Sequence, residues 1–312
     1  MPDTPAHSEP SRWQRIRQSD LALSFLASKV TVAAAFVAVV MIAASVGAAL
    51  IAPHNPYDMA AIDIFDSMLP PVWEDGGERR FLLGTDSIGR DILSTILYGS
   101  RMSIFIGLTS VALSLVIGVT LGLIAGYRGG LLDSIIMRLA EVQLALPTIL
   151  VALLINGILR AVAPPTMVND VAVLVLILSI GLSNWVQFAR AVRASTMVER
   201  GQEYVLAVRL IGIGPMAIMF RHILPNVMGP IMVIATLNLS GAILTEATLS
   251  FLGVGVPSTR PSLGTLINVG TDYLFSGAWW ITIFPGAALA LLVLTVNLVG
   301  DWLRDALNPT LG

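Results

Sequence analysis

Glu203–Tyr204–Val205–Leu206–Ala207–Val208–Arg209–Leu210–Ile211–Gly212, then Ile213–Gly214–Pro215, then Arg221–His222–Ile223–Leu224–Pro225–Asn226, is the stretch on which the fold turns. Glu203 opens an amphipathic helix whose apolar side carries Val205, Val208 and the Leu210/Ile211 pair. Gly212 and Gly214 end it, because glycine accepts the positive φ of a helix stop. Pro215 suits the first position of a new helix, and Leu224–Pro225 leads into a long apolar run. The pattern predicts a helix–turn–helix lying against a membrane face; an ordinary interfacial hairpin between two spans carries the same pattern.

The flanks of this stretch are membrane spans. Of 312 residues, 55% are hydrophobic and 12% charged, about half the charge of a soluble domain. That excludes a soluble enzyme, a nucleic-acid-binding domain and a disordered scaffold. Net charge is −2, so there is no basic field to attract nucleic acid. Cysteine is absent, which removes disulfides, thiolate metal sites and cysteine nucleophiles. The architecture is read from the gaps between charges. Val30–Ala52 holds 23 apolar or small residues, roughly 34 Å of helix against a ~30 Å hydrocarbon core. The other charge-free gaps are Met102–Tyr127, Val142–Leu159, Val171–Ala189, His222–Thr245 and Tyr273–Gly300. Six transmembrane helices are expected.

The first span is too long for the apolar region of a signal peptide and follows a polar tail. In that tail, Trp13 with Arg12, Arg15 and Arg17 fits a short interfacial helix or a solvated basic stretch. With the N-terminus inside, twelve Arg/Lys fall on the cytoplasmic side and six outside, which favours cytoplasmic N- and C-termini. The expected organisation is a cytoplasmic tail at 1–29, the first helix with an acidic external loop at 30–101, and a core of five helices at 102–312 with a cytoplasmic loop at 190–225. Within the external loop, Asp86 is expected to cap an interfacial helix bearing Ile88, Ile92, Leu93, Ile96 and Leu97. Gly89–Arg90–Asp91 reads as a local charge pair. Trp279 and Trp280 read as membrane-belt residues, and Gly126–Gly130 as a turn.

The chain carries no machinery for chemistry of its own. The single lysine, Lys29, sits in no phosphate-binding loop, so ATP is not bound in that way. His7, His54 and His222 are scattered, with no H-E-x-x-H, and there is no G-x-S-x-G elbow. A proton-coupled carrier displays acids in mid-membrane. Here Glu141 and Asp301 are terminal, and Glu246 falls in the outer third of the fifth span as a solvated or locally paired acid.

The stretch Glu203–Asn226 resembles the "EAA" loop, E-A-A-x₃-G-x₉-I-x-L-P, of ABC importer permeases. Ala207, Gly212, Leu224 and Pro225 match, while Leu206, Val208 and His222 replace the motif's Glu, Ala and Ile. From Phe81 onward the chain is similar to C-type permeases of the dipeptide/oligopeptide/nickel family. The similarity rests on Leu83–Gly84–Thr85–Asp86 with Gly89–Arg90–Asp91, on Tyr98–Gly99–Ser100–Arg101 and on Ala125–Gly126–Tyr127–Arg128–Gly129–Gly130. It continues through Arg221–His222–Ile223–Leu224–Pro225–Asn226, Glu246–Ala247–Thr248–Leu249–Ser250–Phe251–Leu252–Gly253 and Gly300–Asp301–Trp302–Leu303–Arg304–Asp305.

The resemblance implies an all-α membrane protein with the type I ABC importer permease (MetI-like) fold, in a bacterial inner membrane. It implies a non-catalytic subunit forming half of the path for peptides. Nickel chelates, glutathione, opines or oligosaccharides are alternative cargo, and an ion-coupled secondary transporter is the alternative class. The implied partners are a second homologous permease in a heterodimer, two cytoplasmic ATPase subunits or domains that use ATP and Mg, an extracytoplasmic substrate-binding protein and membrane lipid. No cofactor is expected on this chain. Coupling to the ATPase is assigned to Glu203, Leu206, Ala207, Arg209, Gly212, Gly214, His222 and Pro225, and a gate or pathway role to Glu246 and Asn238.

Overall fold

The computed structural model describes residues 20–58, 62–162 and 168–306, and the Trp13 segment lies outside them. A short helix, α1 (Asp20–Ala27), precedes α2 (Lys29–Val46), whose N-cap Ser28 accepts the Thr31 N–H. Gly47 interrupts α2 before a last turn, α3 (Ala48–Ile51). Then come α4 (Ile92–Arg128), α5 (Gly130–Leu144), α6 (Thr148–Val162) and α7 (Val168–Glu199). The loop helix α8 (Glu203–Leu210) leads to α9 (Pro215–Phe251), α10 (Leu263–Leu274) and α11 (Trp280–Ala306). A π-turn at Ile218–Ile223 lies inside α9, so the second half of the loop runs into the fifth span without a break.

Among the described residues, five helices are long and apolar enough to cross a membrane: α2, α4, α7, α9 and α11. The third span, expected over Val142–Leu159, is formed by α5 and α6, bent by 99° where Ala145–Leu146–Pro147 separates them. Proline has no N–H for the helix ladder and disfavours helical backbone in the residue before it. The pair still counts as one crossing. Phe25 in α1 packs edge-on against Trp302 in α11, ring centroids 4.9 Å apart. Both ends of the described chain therefore lie on one face, and an even number of crossings follows. Asp133 of α5 pairs with Arg193 of α7 at 2.5 Å. The Gln143 amide donates to the Ser183 carbonyl at 2.7 Å and accepts from the Trp185 indole at 2.8 Å, which fixes α5 along α7.

The second span also differs from expectation. No separate interfacial helix starts at Asp86; α4 is one helix of 37 residues, capped by Asp91, whose carboxylate accepts the Ser94 N–H at 2.8 Å. At ~1.5 Å per residue this is nearly twice the hydrocarbon thickness, so α4 tilts or projects beyond it. Asp86 is unavailable as a cap because it binds Arg90: its carboxylate takes the Arg90 backbone N–H at 2.9 Å and the guanidinium at 2.6 Å. The charge pair is thus Asp86–Arg90 rather than Arg90–Asp91. Trp279 and Trp280, expected in the membrane belt, both turn their indoles toward the external segment. The Trp280 indole donates to the Thr85 carbonyl at 3.0 Å and the Trp279 indole to Glu74 at 3.1 Å, tying segment 62–91 onto α11.

The centre of the bundle is the α4–α7 pair, with Leu123, Leu176, Ile180, Phe188 and Val192 buried between these helices and α9. Three glycines spaced by four, Gly118, Gly122 and Gly126, make the approach possible. A Cβ on Gly118 would sit 2.5 Å from the Trp185 carbonyl oxygen, on Gly122 2.6 Å from that of Ala189, and on Gly126 2.7 Å from that of Arg193. Small residues at this spacing let membrane helices touch along their backbones. Only Gly129 and Gly130 of the expected Gly126–Gly130 turn make the turn, both with positive φ; Gly126 is a helix contact.

Candidate functional site

The loop helix α8 begins with Glu203 in its first turn, where a carboxylate complements the N-terminal dipole. It ends in a Schellman motif. The Gly212 N–H donates to the Arg209 carbonyl at 3.1 Å, the Ile213 N–H donates to the Val208 carbonyl at 3.3 Å, and Gly212 has φ +83°. Val208 and Ile213, the apolar pair this motif brings together, both pack on the central core. Gly214 is extended at φ −68° and serves as N-cap for Pro215 at the start of α9. The positive φ expected at a helix stop therefore falls on Gly212 alone.

The apolar residues of α8 do not share one side as expected. Val205 is fully buried and Val208 half-buried, whereas Leu210 is 88% exposed and Ile211 75% exposed. Residues five and six positions beyond Val205 have rotated onto the outer surface of this helix. Leu206 and Met216 are exposed beside them. Glu203, Leu206, Ala207, Arg209, Gly212 and Gly214 thus form one exposed ridge; Pro225 is exposed on α9 and His222 is half-buried.

Contacts beneath the ridge join it to the spans. The Tyr204 hydroxyl donates to Glu199 at the end of α7 at 2.5 Å and accepts from the Asn226 amide of α9 at 2.8 Å. Burial, and next the Glu199 hydrogen bond, raise the Tyr204 phenol above its ordinary range, so it remains a donor at neutral pH. Arg209 stacks over the Tyr127 ring at 5.5 Å, near the end of α4, and Arg200 donates to the Gly126 carbonyl at 3.0 Å. Sequence reading missed Tyr204, Glu199 and Asn226, because side chains 22 residues apart reveal no pairing until the loop is folded.

Glu246 lies far from this ridge in α9 and is completely buried. Its carboxyl accepts from the Ser103 hydroxyl of α4 at 2.8 Å and from Ser250, one turn on, at 2.7 Å. Ser103 in turn accepts the Leu263 N–H at the start of α10. Of the two readings left open, local pairing holds: Glu246 joins α4, α9 and α10. Asn238 is buried too, and its amide donates to the Ile234 carbonyl of its own helix at 2.9 Å. Glu246→Gln keeps an acceptor toward one serine and should leave assembly and uptake near normal, with uptake indifferent to a proton gradient. Glu246→Leu strands both hydroxyls, at about 1–3 kcal/mol, and should lower the melting temperature of the purified protein. Proton counterflow that disappears in the glutamine variant would mark Glu246 as a proton carrier.

Comparison with known proteins places these features among transporters. The family described as "Binding-protein-dependent transport system inner membrane component" matches residues 118–312. The di/tripeptide transport system permease protein DppC of Pseudomonas aeruginosa is 43% identical over 262 residues, covering 84% of this chain and 82% of that protein. The oligopeptide transport system permease protein OppC of Bacillus subtilis is 36% identical over 293 residues, covering 94% and 89%. Among solved structures, an inward-facing conformation of the MetNI methionine ABC transporter matches with a TM-score of 0.54 at 18% identity, covering 70% of this chain and 98% of that one. At that identity the likeness is one of fold.

Proposed function

The chain belongs to the binding-protein-dependent transport permeases, the non-catalytic inner-membrane subunits of ABC importers, and from that premise we propose that it carries di- and oligopeptides. The names of its relatives, di/tripeptide and oligopeptide permeases, support that cargo. This subunit pairs with a second, homologous permease; two ATPase domains power the pair and a binding protein delivers cargo. The observation that carries the coupling role is the α8 ridge. Four apolar side chains stand exposed on a loop whose other side is bonded to the ends of α4 and α7 and to Asn226 of α9. Where the EAA loop has its glutamate, Leu206 is exposed, so the ridge seats in an ATPase cleft through apolar contact rather than a carboxylate. ATP-driven closure of the ATPases moves the ridge, and Tyr204 and Arg209 pass the displacement to the spans as a rigid-body switch.

The reading requires α8 in the cytoplasm and segment 62–91 outside. With no native cysteine, single cysteines report the topology directly. A cysteine at Asp75 should react with an impermeant maleimide in cells stripped of their outer barrier, and one at Gly214 only after permeabilisation. The reverse labelling would overturn the orientation and the coupling role together.

A further inference from the structure

A cleft of about 870 Å³ opens beside the outer halves of α2 and α4. Its walls are mostly apolar, from residues such as Ile104, Phe105 and Leu108, and two cations, Arg101 and Arg260, stand in it with Tyr57 and Tyr98. The tyrosines meet edge to face, with ring centroids 5.0 Å apart. No acidic residue lines the cleft.

Of the other arginines in this region, Arg79 is exposed and, among the described residues, unpaired, and three are held by partners. Arg80 pairs with Asp66 and Glu78, Arg90 with Asp86, and Arg160 donates to the Val254 and Gly255 carbonyls. Arg90 also donates to the Ser258 carbonyl at 3.1 Å, which holds in place the loop bearing Arg260. Among the described residues, the guanidinium groups of Arg101 and Arg260 have no ion-pair or hydrogen-bond partner, and both residues are exposed. Two unpaired guanidiniums beside apolar walls suit a small amphipathic anion, because guanidinium forks match a carboxylate in geometry and charge. The volume lies in the ~300–1,000 Å³ range of small-ligand pockets.

We propose that Arg101 and Arg260 receive the C-terminal carboxylate of a short peptide as it enters the translocation path, with the apolar walls accepting its side chains. The proposal rests on the peptide reading above. It makes this chain, and not only the binding protein, a selector for peptides with a free C-terminus.

The test uses the complete importer in proteoliposomes, with trialanine and trialanine amide as probes. Because the binding protein also sees the C-terminus, the quantity to follow is the acid-to-amide uptake ratio, compared between wild type and R101Q/R260Q. That ratio should fall about tenfold in the double variant, the loss expected for one charge-assisted hydrogen bond, with amide uptake unchanged. In an otherwise wild-type importer, a photo-crosslinking residue in place of the exposed Phe105 should capture trialanine, and excess acid but not amide should compete. An unchanged ratio together with loss of co-purifying anionic phospholipid would mean that the arginines hold lipid phosphate, and the proposal would fall. Should the wild-type importer move neither probe, the peptide reading fails and the site with it; uptake of both with an unchanged ratio overturns the site alone.

Discussion

Gly122→Val should leave almost no assembled protein in the membrane. The mutated position lies where α4 and α7 run backbone to backbone, and the first added carbon already sits 2.6 Å from the Ala189 carbonyl oxygen and 2.8 Å from the Val192 Cβ. Neither neighbour is the free end of a flexible side chain, so relief requires the helices to part. Separation would open the seam at Gly118 and Gly126 as well, since all three glycines lie on one face. Overpacking a well-fitted contact costs about 1–3 kcal/mol, and this contact is the core of the bundle. Gly157→Val gives the control, because a Cβ there meets nothing within 4 Å. The measurement is yield of monodisperse protein in mild detergent and its melting temperature. A Gly122→Val protein as abundant and as stable as Gly157→Val would show that the α4–α7 seam is not what holds the fold.

What was legible in the sequence and what was not divide along physical lines. Spans announce themselves because a charge is costly in lipid, so the gaps between charges mark helices whatever their tertiary partners. The stop at Gly212 was equally readable, since a Schellman cap is decided within six residues. By contrast, the continuity of α4 through residue 92 depended on which aspartate served as cap. That was settled by Arg90 claiming Asp86, a choice two adjacent Asp–Arg possibilities leave undetermined. The sidedness of Leu210 and Ile211 failed for a related reason: an eight-residue helix flanked by breaks has too few turns to define its apolar face. The glycine stripe at 118, 122 and 126 was present as a spacing of four inside an apolar run, a signal that periodicity of large apolar residues does not register. The cleft was out of reach, because Arg101 and Arg260 come from separate elements and only the packed bundle places them together.

The coupling role stands or falls at Gly212. A Cβ on this residue meets no atom within 4 Å, so crowding plays no part in what a substitution does there. The backbone does: φ is +83°, a region that β-branched residues essentially avoid. Valine therefore stores about 1–3 kcal/mol of strain or releases it by undoing the bonds from the Gly212 and Ile213 amides to the end of α8. Undoing them frees Val208 from its core contact and swings Leu210 and Ile211 off the ridge. The strain is confined to the loop, so the spans should insert and the two permeases should still co-purify. Hydrolysis and uptake should part company, with ATPase association weakened or ATP consumed and uptake reduced about tenfold, the factor corresponding to roughly 1.4 kcal/mol of displaced equilibrium. Gly214→Ala changes the neighbouring glycine at φ −68°, a conformation alanine adopts freely, and should transport normally. Hydrolysis and uptake measured side by side in proteoliposomes decide the matter. If both remain at wild-type values in Gly212→Val, force from the ATPases reaches the spans by a route other than α8, and the ridge is a membrane-surface hairpin joining two spans.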